Sequence, residues 1–144
     1  MQVFPGWLGD TDLLPAVRSV FEFEPGDDRA TGYLSEDWDL LDRLEADLGV
    51  RFTIMAFQAY RNGSGCDWHA DTPFDAQAVL SLGATRTFGV RAQPSGSPTW
   101  VAVHHGDLVY MPPGFQTEWQ HCVPVEPDKP GERVSLVFRT VARS

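Results

Sequence analysis

The spacing of apolar positions changes once along this chain, near residue 50. Before that point it is helical. Leu13, Val17, Val20 and Phe21 fall on one face of a helix over residues 12–23, with Pro15 tolerable in the first turn and a Gly/Asp turn at 26–28 as the stop. Ser35 is placed to cap a second helix, followed by Glu36 and Asp37, where the helix dipole favours negative charge. Trp38, Leu41, Leu44 and Leu48 form its apolar stripe, and Gly49 supplies the end. Beyond Arg51 the period falls to two and strand formers dominate. Strands are predicted over residues 52–60, 79–82, 87–91, 100–104, 108–111 and 133–141, with turns at Asn62-Gly63, Pro94-Ser95-Gly96, Gly106-Asp107 and Pro112-Pro113-Gly114. Helices first and short strands afterwards make an α+β chain whose core is an antiparallel sandwich or open barrel.

Composition narrows the class. The 144 residues suffice for one domain with one core, 42% are hydrophobic and 22% charged, and no repeat or low-complexity tract is present. No apolar run reaches the ~20 residues of a membrane helix, and the N-terminus lacks a signal-peptide layout, so a cytoplasmic protein is expected. Two cysteines, Cys66 and Cys122, provide no disulfide framework. The formal charge of −9 argues against a broad phosphate-gripping surface, and ten of the twenty acidic residues lie between Glu22 and Asp47. The charge run of the second helix reads as its solvated face.

Alternation then assembles a polar face. His69 and Asp71 point the same way, as do Gln58 and Tyr60, and as do Arg133, Ser135 and Arg139, while Val134, Leu136 and Phe138 point oppositely. A His-x-Asp pair alone is weak. A second histidine must come from His104, His105 or His121, the last in the apolar stretch EWQHCV. Two imidazoles and one carboxylate on one face of an octahedral metal form the facial triad of non-haem Fe(II) oxygenases. A structural zinc site drawn from Cys66, His69, His121 and Cys122 is the competing metal reading, disfavoured because adjacent residues of an extended segment point apart. For Arg133 and Arg139 the alternative is a pair of surface arginines on an edge strand. His104 and His105 read as structural or exposed, and the five tryptophans as core, with Trp68 packed beneath the site and Trp119 as a wall beside it.

The segments QAYRNGSGCDWHAD, VLSLGATRTFGVR, HHGDLVYMPPGFQTEWQHCVPV and RVSLVFRT, in this order, resemble the AlkB family of Fe(II)- and 2-oxoglutarate-dependent dioxygenases from about Arg51 to Thr140. The resemblance implies a double-stranded β-helix (jelly-roll) core of antiparallel strands with two N-terminal helices packed on one sheet. It implies a single domain over residues 1–144, of which about 1–50 form a short helical and lid segment. It implies Fe(II) on His69, Asp71 and His121, with 2-oxoglutarate held by Tyr60, Arg133 and Arg139, Gln58 standing where the family usually has an asparagine, and Ser135 sharing their face. Arg133 with Tyr60 is assigned to the distal carboxylate, a fit for arginine's two-point fork, and Arg139 to the chelating end or to bracing Asp71.

The activity so implied is O2-dependent hydroxylation of a C–H bond coupled to decarboxylation of 2-oxoglutarate to succinate. On an N-methyl group of a nucleic-acid base or nucleotide it releases formaldehyde. Two features weaken a base as the substrate: the N-terminal segment is short and acidic, with Tyr33 among its few aromatics, and Pro73 stands where repair members tend to carry an acid. Arg29, Arg61, Arg86 and Arg91 could still form a local basic rim around single-stranded DNA or RNA. A hydroxylase of a small molecule, amino acid or protein side chain is the alternative, and a non-catalytic jelly-roll binding module the third.

Overall fold

The computed structural model describes residues 1–141, arranged as ten strands and three short helices. β1 (Gln2–Phe4), β2 (Arg29–Tyr33), β3 (Ile54–Tyr60), β5 (Phe74–Gly83), β8 (Leu108–Met111) and β10 (Arg133–Val141) build a six-stranded sheet in the order β1-β8-β5-β10-β3-β2. β4 (Cys66–His69), β6 (Arg86–Ala92), β7 (Thr99–Val103) and β9 (Trp119–Val123) build a four-stranded sheet ordered β4-β9-β6-β7. Every pairing is antiparallel. This is a double-stranded β-helix.

Two apolar clusters follow from strand alternation. Between the sheets, Tyr60, Val79, Val109, Met111 and Val137 of the larger one meet Phe88, Val90, Val103 and Val123 of the smaller. On the outer face of the larger sheet, Phe57, Ala59, Leu80, Leu82, Leu136 and Phe138 meet Val17 of α1 (Leu14–Arg18) and Leu40 and Leu44 of α2 (Leu40–Leu48). β10 lies between β5 and β3, so Val134, Leu136 and Phe138 bury outward under the helices while Arg133 and Ser135 bury inward. The edge-strand alternative for the two arginines does not hold, because β10 is central in its sheet.

The N-terminal third departs from its predicted form. α1 stops at Arg18, and Phe21 and Phe23 lie beyond it, outside any helix or strand: Phe21 stacks on Phe57 with ring centroids 4.4 Å apart, Phe23 meets Phe21 edge-on, and Arg18 lies over both rings. Spacing of two, not four, carries both rings to the sheet. α2 begins at Leu40, because the carboxylates of Glu36 and Asp37 accept hydrogen bonds from the backbone N–H groups of Trp38 and Leu41. Those local bonds hold the chain in a turn, and Trp38 and Asp39 take positive φ, so Ser35 is not the cap. Gly49 does end α2 in the left-handed conformation. β1 and β2, both inside the segment expected to be helix and lid, close the two edges of the larger sheet instead.

Candidate metal and cosubstrate site

The segment between β3 and β4, residues 61–65, is a turn that delivers a strand. Asn62 and Gly63 both have positive φ, and a Cβ on Gly63 would lie 2.3 Å from the Glu126 carbonyl oxygen, so only glycine permits the turn to lie this close to the β9–β10 connection. The chain then enters β4, a short strand with an irregular register against β9 that ends with His69 directly opposite His121. Their rings are 4.3 Å apart. β4 carries no two-residue alternation, and β9 is polar at Gln120 and His121; neither was legible as a strand.

His69, Asp71 and His121 present ligand atoms that all lie within 4.8 Å of one another. His69 Nδ1 is 2.6 Å from the Asp67 carbonyl oxygen, which can only accept, so Nδ1 carries the proton and Nε2 is turned toward Asp71 Oδ1 at 3.5 Å. His121 Nε2 lies 3.0 Å from Asp71 Oδ2, and its buried Nδ1 has no partner. The contact with Cys66 Sγ raises His69 to about 9 against the opposing effect of burial, with the Asp67 carbonyl and Asp71 adding to the rise. Burial pushes His121 down, partly offset by its hydrogen bond with Asp71. Burial works against ionisation of Asp71, yet contacts with His121, Gln77 and His69 hold its carboxyl well below the usual carboxylate range.

Neither cysteine is in the His/Asp/His group: Cys66 Sγ meets His69 from the Nδ1 side, at 3.6 Å, and Cys122 faces away. Cys122 is 3% exposed and packs on the opposite face of β9 against Gly89, where a Cβ would meet Cys122 Sγ and the Trp100 ring; its thiol is pushed up to about 11 by burial. The zinc reading fails on that orientation. His104 and His105 are elsewhere, Nδ1 of the first paired with Thr85 Oγ1 and Nδ1 of the second accepting from the Gly83 amide.

Beside the His/Asp/His group lies a cavity lined by Gln58, Tyr60, Phe88, Arg133, Ser135 and Val137 among others. Arg133 is 1% exposed and donates from Nη2 to Ser81 Oγ at 2.9 Å, while its buried Nε has no partner. Among the described residues no carboxylate forms an ion pair with it. Burial lowers the pKa of the guanidinium, partly countered by Tyr60, and the positive charges of Arg86 and Arg29 add to the lowering. Three guanidinium groups, those of Arg29, Arg133 and Arg86, lie 4.2, 5.5 and 5.9 Å from the Tyr60 ring centroid. The Tyr60 hydroxyl donates to Gln58 Oε1 at 3.3 Å. Arg139, 9% exposed, donates from Nε to Gln77 Oε1 and has Nη2 3.8 Å from Asp71 Oδ2. A neighbouring cavity of about 240 Å³, lined by Thr31, Tyr33, Gln58 and Arg139 among others, opens beside it along β2.

Two expectations need correction, the basic rim and the tryptophans as core. Arg86 is fully buried and bound to Glu126, so it is no part of a basic rim. Arg91 is stacked over Trp68 and Arg61 over Phe23, and Arg29 covers Tyr60, which leaves little of that rim free. Trp100 and Trp119 are exposed by 50% and 38% rather than buried in the core: Trp100 lies on the edge strand β7, and Trp119 is the first residue of β9. Trp68 pairs with Trp100 on that sheet's outer face. Residues not anticipated are Gln77, Gln116, which accepts a hydrogen bond from the Asp71 amide, and Ser81. Extending β5 upstream by the two-residue period from Ser81 and Val79 would have placed Gln77 on the same inner face.

Residues 27–139 match the model of the 2OG-Fe(II) oxygenase superfamily. The chain belongs to that superfamily, and within it is AlkB-like. It is 35% identical over 150 residues to rat (Rattus norvegicus) alpha-ketoglutarate-dependent dioxygenase alkB homolog 3, covering 94% of this chain and 48% of that protein. The human protein of the same name is 38% identical over 117 residues, covering 71% of this chain and 41% of the relative. The chain thus spans about half the length, or less, of the curated relatives it matches. Its fold matches the solved structure of OsALKBH1 with a TM-score of 0.70 at 15% identity, covering 96% of this chain and 97% of the other.

Proposed function

We propose that this chain is an Fe(II)- and 2-oxoglutarate-dependent dioxygenase that oxidatively demethylates an N-alkylated nucleic-acid base or nucleotide. The observation that carries the cosubstrate assignment is Arg133: a buried guanidinium without a counter-ion, lining the same cavity as a His/Asp/His group. A buried charge this far from compensation calls for an anionic ligand. The residues present fit the family's metal and cosubstrate. His69, Asp71 and His121 would hold Fe(II), and Arg133 with Tyr60 would hold the distal carboxylate of 2-oxoglutarate, with Gln58 and Ser135 as hydrogen-bonding groups on the same face. When bound, iron and cosubstrate supply O2 activation coupled to loss of CO2 and formation of succinate.

The chain's own contribution is geometry and exclusion of water. Val79, Phe88 and Val137 wall the cavity with apolar surface, which strengthens the Arg133–carboxylate interaction by keeping solvent out. The proton on His69 Nδ1 is retained by the Asp67 carbonyl, so Nε2 is the nitrogen offered to the ion. The cavity along β2 places Tyr33, 80% exposed, and Thr31 where a substrate could approach. Base demethylation is the activity that the AlkB-like resemblance implies.

A second reading, hydroxylation of a small molecule, amino acid or protein side chain, is favoured by the burial of Arg86 and by Pro73 at the position where repair members tend to carry an acid. The two readings separate in a formaldehyde assay with Fe(II), 2-oxoglutarate, ascorbate and O2. An N-methylated single-stranded oligonucleotide is expected to drive formaldehyde release in proportion to succinate. Turnover stimulated by free nucleosides or amino acids, with none from the oligonucleotide, would transfer the assignment to the second reading.

A further inference from the structure

Gln77 is 2% exposed on the inner face of β5, and its amide is engaged at both ends. Arg139 Nε donates to Oε1 at 2.7 Å, and Nε2 donates to Asp71 Oδ2 at 2.9 Å. A guanidinium has donors only, so the oxygen of Gln77 must face Arg139 and its NH2 must face Asp71. The amide cannot flip without opposing two donors on one side and two acceptors on the other. Arg139 by itself reaches Asp71 Oδ2 only at 3.8 Å, too far for a hydrogen bond.

This arrangement is built into the sheet. Gln77 and Arg139 are direct cross-strand partners in the β5–β10 register. Asp71 lies outside any strand, between β4 and β5, where loop backbone alone would not fix a carboxylate. Its amide is held by Gln116 Oε1 at 2.8 Å from α3 (Phe115–Glu118), and its Oδ2 is met by Gln77 Nε2 at 2.9 Å and by His121 Nε2 at 3.0 Å. The other carboxylate oxygen, Oδ1, has His69 Nε2 at 3.5 Å as its neighbour.

We propose that Gln77 is a positioning residue for the metal site: it relays Arg139 to Asp71 and fixes the orientation of that carboxylate between His69 and His121. The inference rests on His69, Asp71 and His121 being metal ligands. Arg139 then acts on the site through an amide bridge rather than by direct charge pairing.

The test is Co(II) binding to the metal-free protein, without 2-oxoglutarate or O2, followed by titration and by the visible absorption of the bound ion. Outer-shell partners of metal ligands are worth about 10- to 100-fold in metal affinity. Gln77→Leu is expected to weaken Co(II) binding by that factor and to shift the Co(II) spectrum. Arg139→Met is expected to weaken it comparably, and the double variant to bind no more weakly than Gln77→Leu within about twofold, because both changes break one relay. Thermal unfolding of each metal-free variant checks that it is folded, and Gln77→Met, which fills similar volume, carries the same expectation should the leucine variant not fold. Wild-type affinity and spectrum in the Gln77 variants, or losses that multiply in the double variant, would overturn the relay. A wild-type protein that binds no Co(II) would overturn the metal-site reading and the relay with it.

Discussion

Arg133→Met is expected to lose 2-oxoglutarate while keeping its fold. Truncating one partner of a buried charge pair costs about 2–5 kcal/mol of binding, which is roughly 30- to 5000-fold in affinity. In the ligand-free protein the same change removes a guanidinium that is 1% exposed, has an unpartnered Nε and donates only to Ser81. An apolar side chain there sheds the desolvation cost at the expense of one hydrogen bond, so ligand-free stability should fall by no more than about 1 kcal/mol. Calorimetric titration with 2-oxoglutarate and Mn(II), beside thermal unfolding without ligand, reads both quantities. A variant that binds 2-oxoglutarate like the wild type, or one that loses several kcal/mol of ligand-free stability, would make Arg133 a structural arginine.

Glu126→Gln is expected to do the opposite, destabilising the protein at neutral pH by removing the counter-ion of a second buried arginine. Arg86 is fully buried; Glu126 Oε1 lies 3.1 Å from its Nε and accepts the Thr87 amide at 2.8 Å, while Oε2 meets Lys129 Nζ at 2.7 Å. Arg86 also donates to the carbonyls of Ser64 and Pro124, tying the turn ahead of β4 to the segment after β9. Leaving that charge uncompensated costs about 3–5 kcal/mol, and for a domain of this size the melting temperature should fall by roughly 10 °C or more.

The pH dependence has a definite sign. Burial works against ionisation of Glu126, but Lys129, the Thr87 amide and Arg86 together lower it to about 2 from an ordinary 4.5. A folded-state value below the unfolded one gives stability that is fully present above about pH 4.5 and is lost as the pH falls toward 2. The gap between wild type and Glu126→Gln should therefore be constant from pH 5 to neutrality and close progressively below pH 4.5. A gap that persists unchanged at pH 3 would assign the loss to packing rather than to the charge.

These two arginines illustrate how much the sequence could reveal. Arg133 was placed correctly because Val134, Leu136 and Phe138 alternate with it, and a period of two fixes which face each residue takes. Arg86 was misplaced at the surface, since nothing local tells a buried arginine from an exposed one; its partner lies 40 residues away. By residue type His121 is one of three candidate histidines and only the family resemblance singles it out; its register opposite His69 depends on β4 and β9, strands too short and irregular to show a pattern. The helices show the converse limit. Trp38 and Leu41 obey helical spacing, yet carboxylate-to-backbone bonds at Glu36 and Asp37 delay the helix to Leu40, a competition that periodicity does not register. Gln77 escaped because β5 runs five residues upstream of the apolar run that marked it, from Phe74.

The most direct measurement is conversion of 2-oxoglutarate to succinate by wild-type protein and by Asp71→Ala, in Fe(II), ascorbate and O2, with each protein checked for folding. Succinate formation by the wild type that requires added Fe(II) and is abolished in Asp71→Ala is the predicted result. Equal succinate formation by both proteins, or none by a folded, iron-supplied wild type under any substrate condition, would contradict the assignment of the His69–Asp71–His121 group as the catalytic metal site.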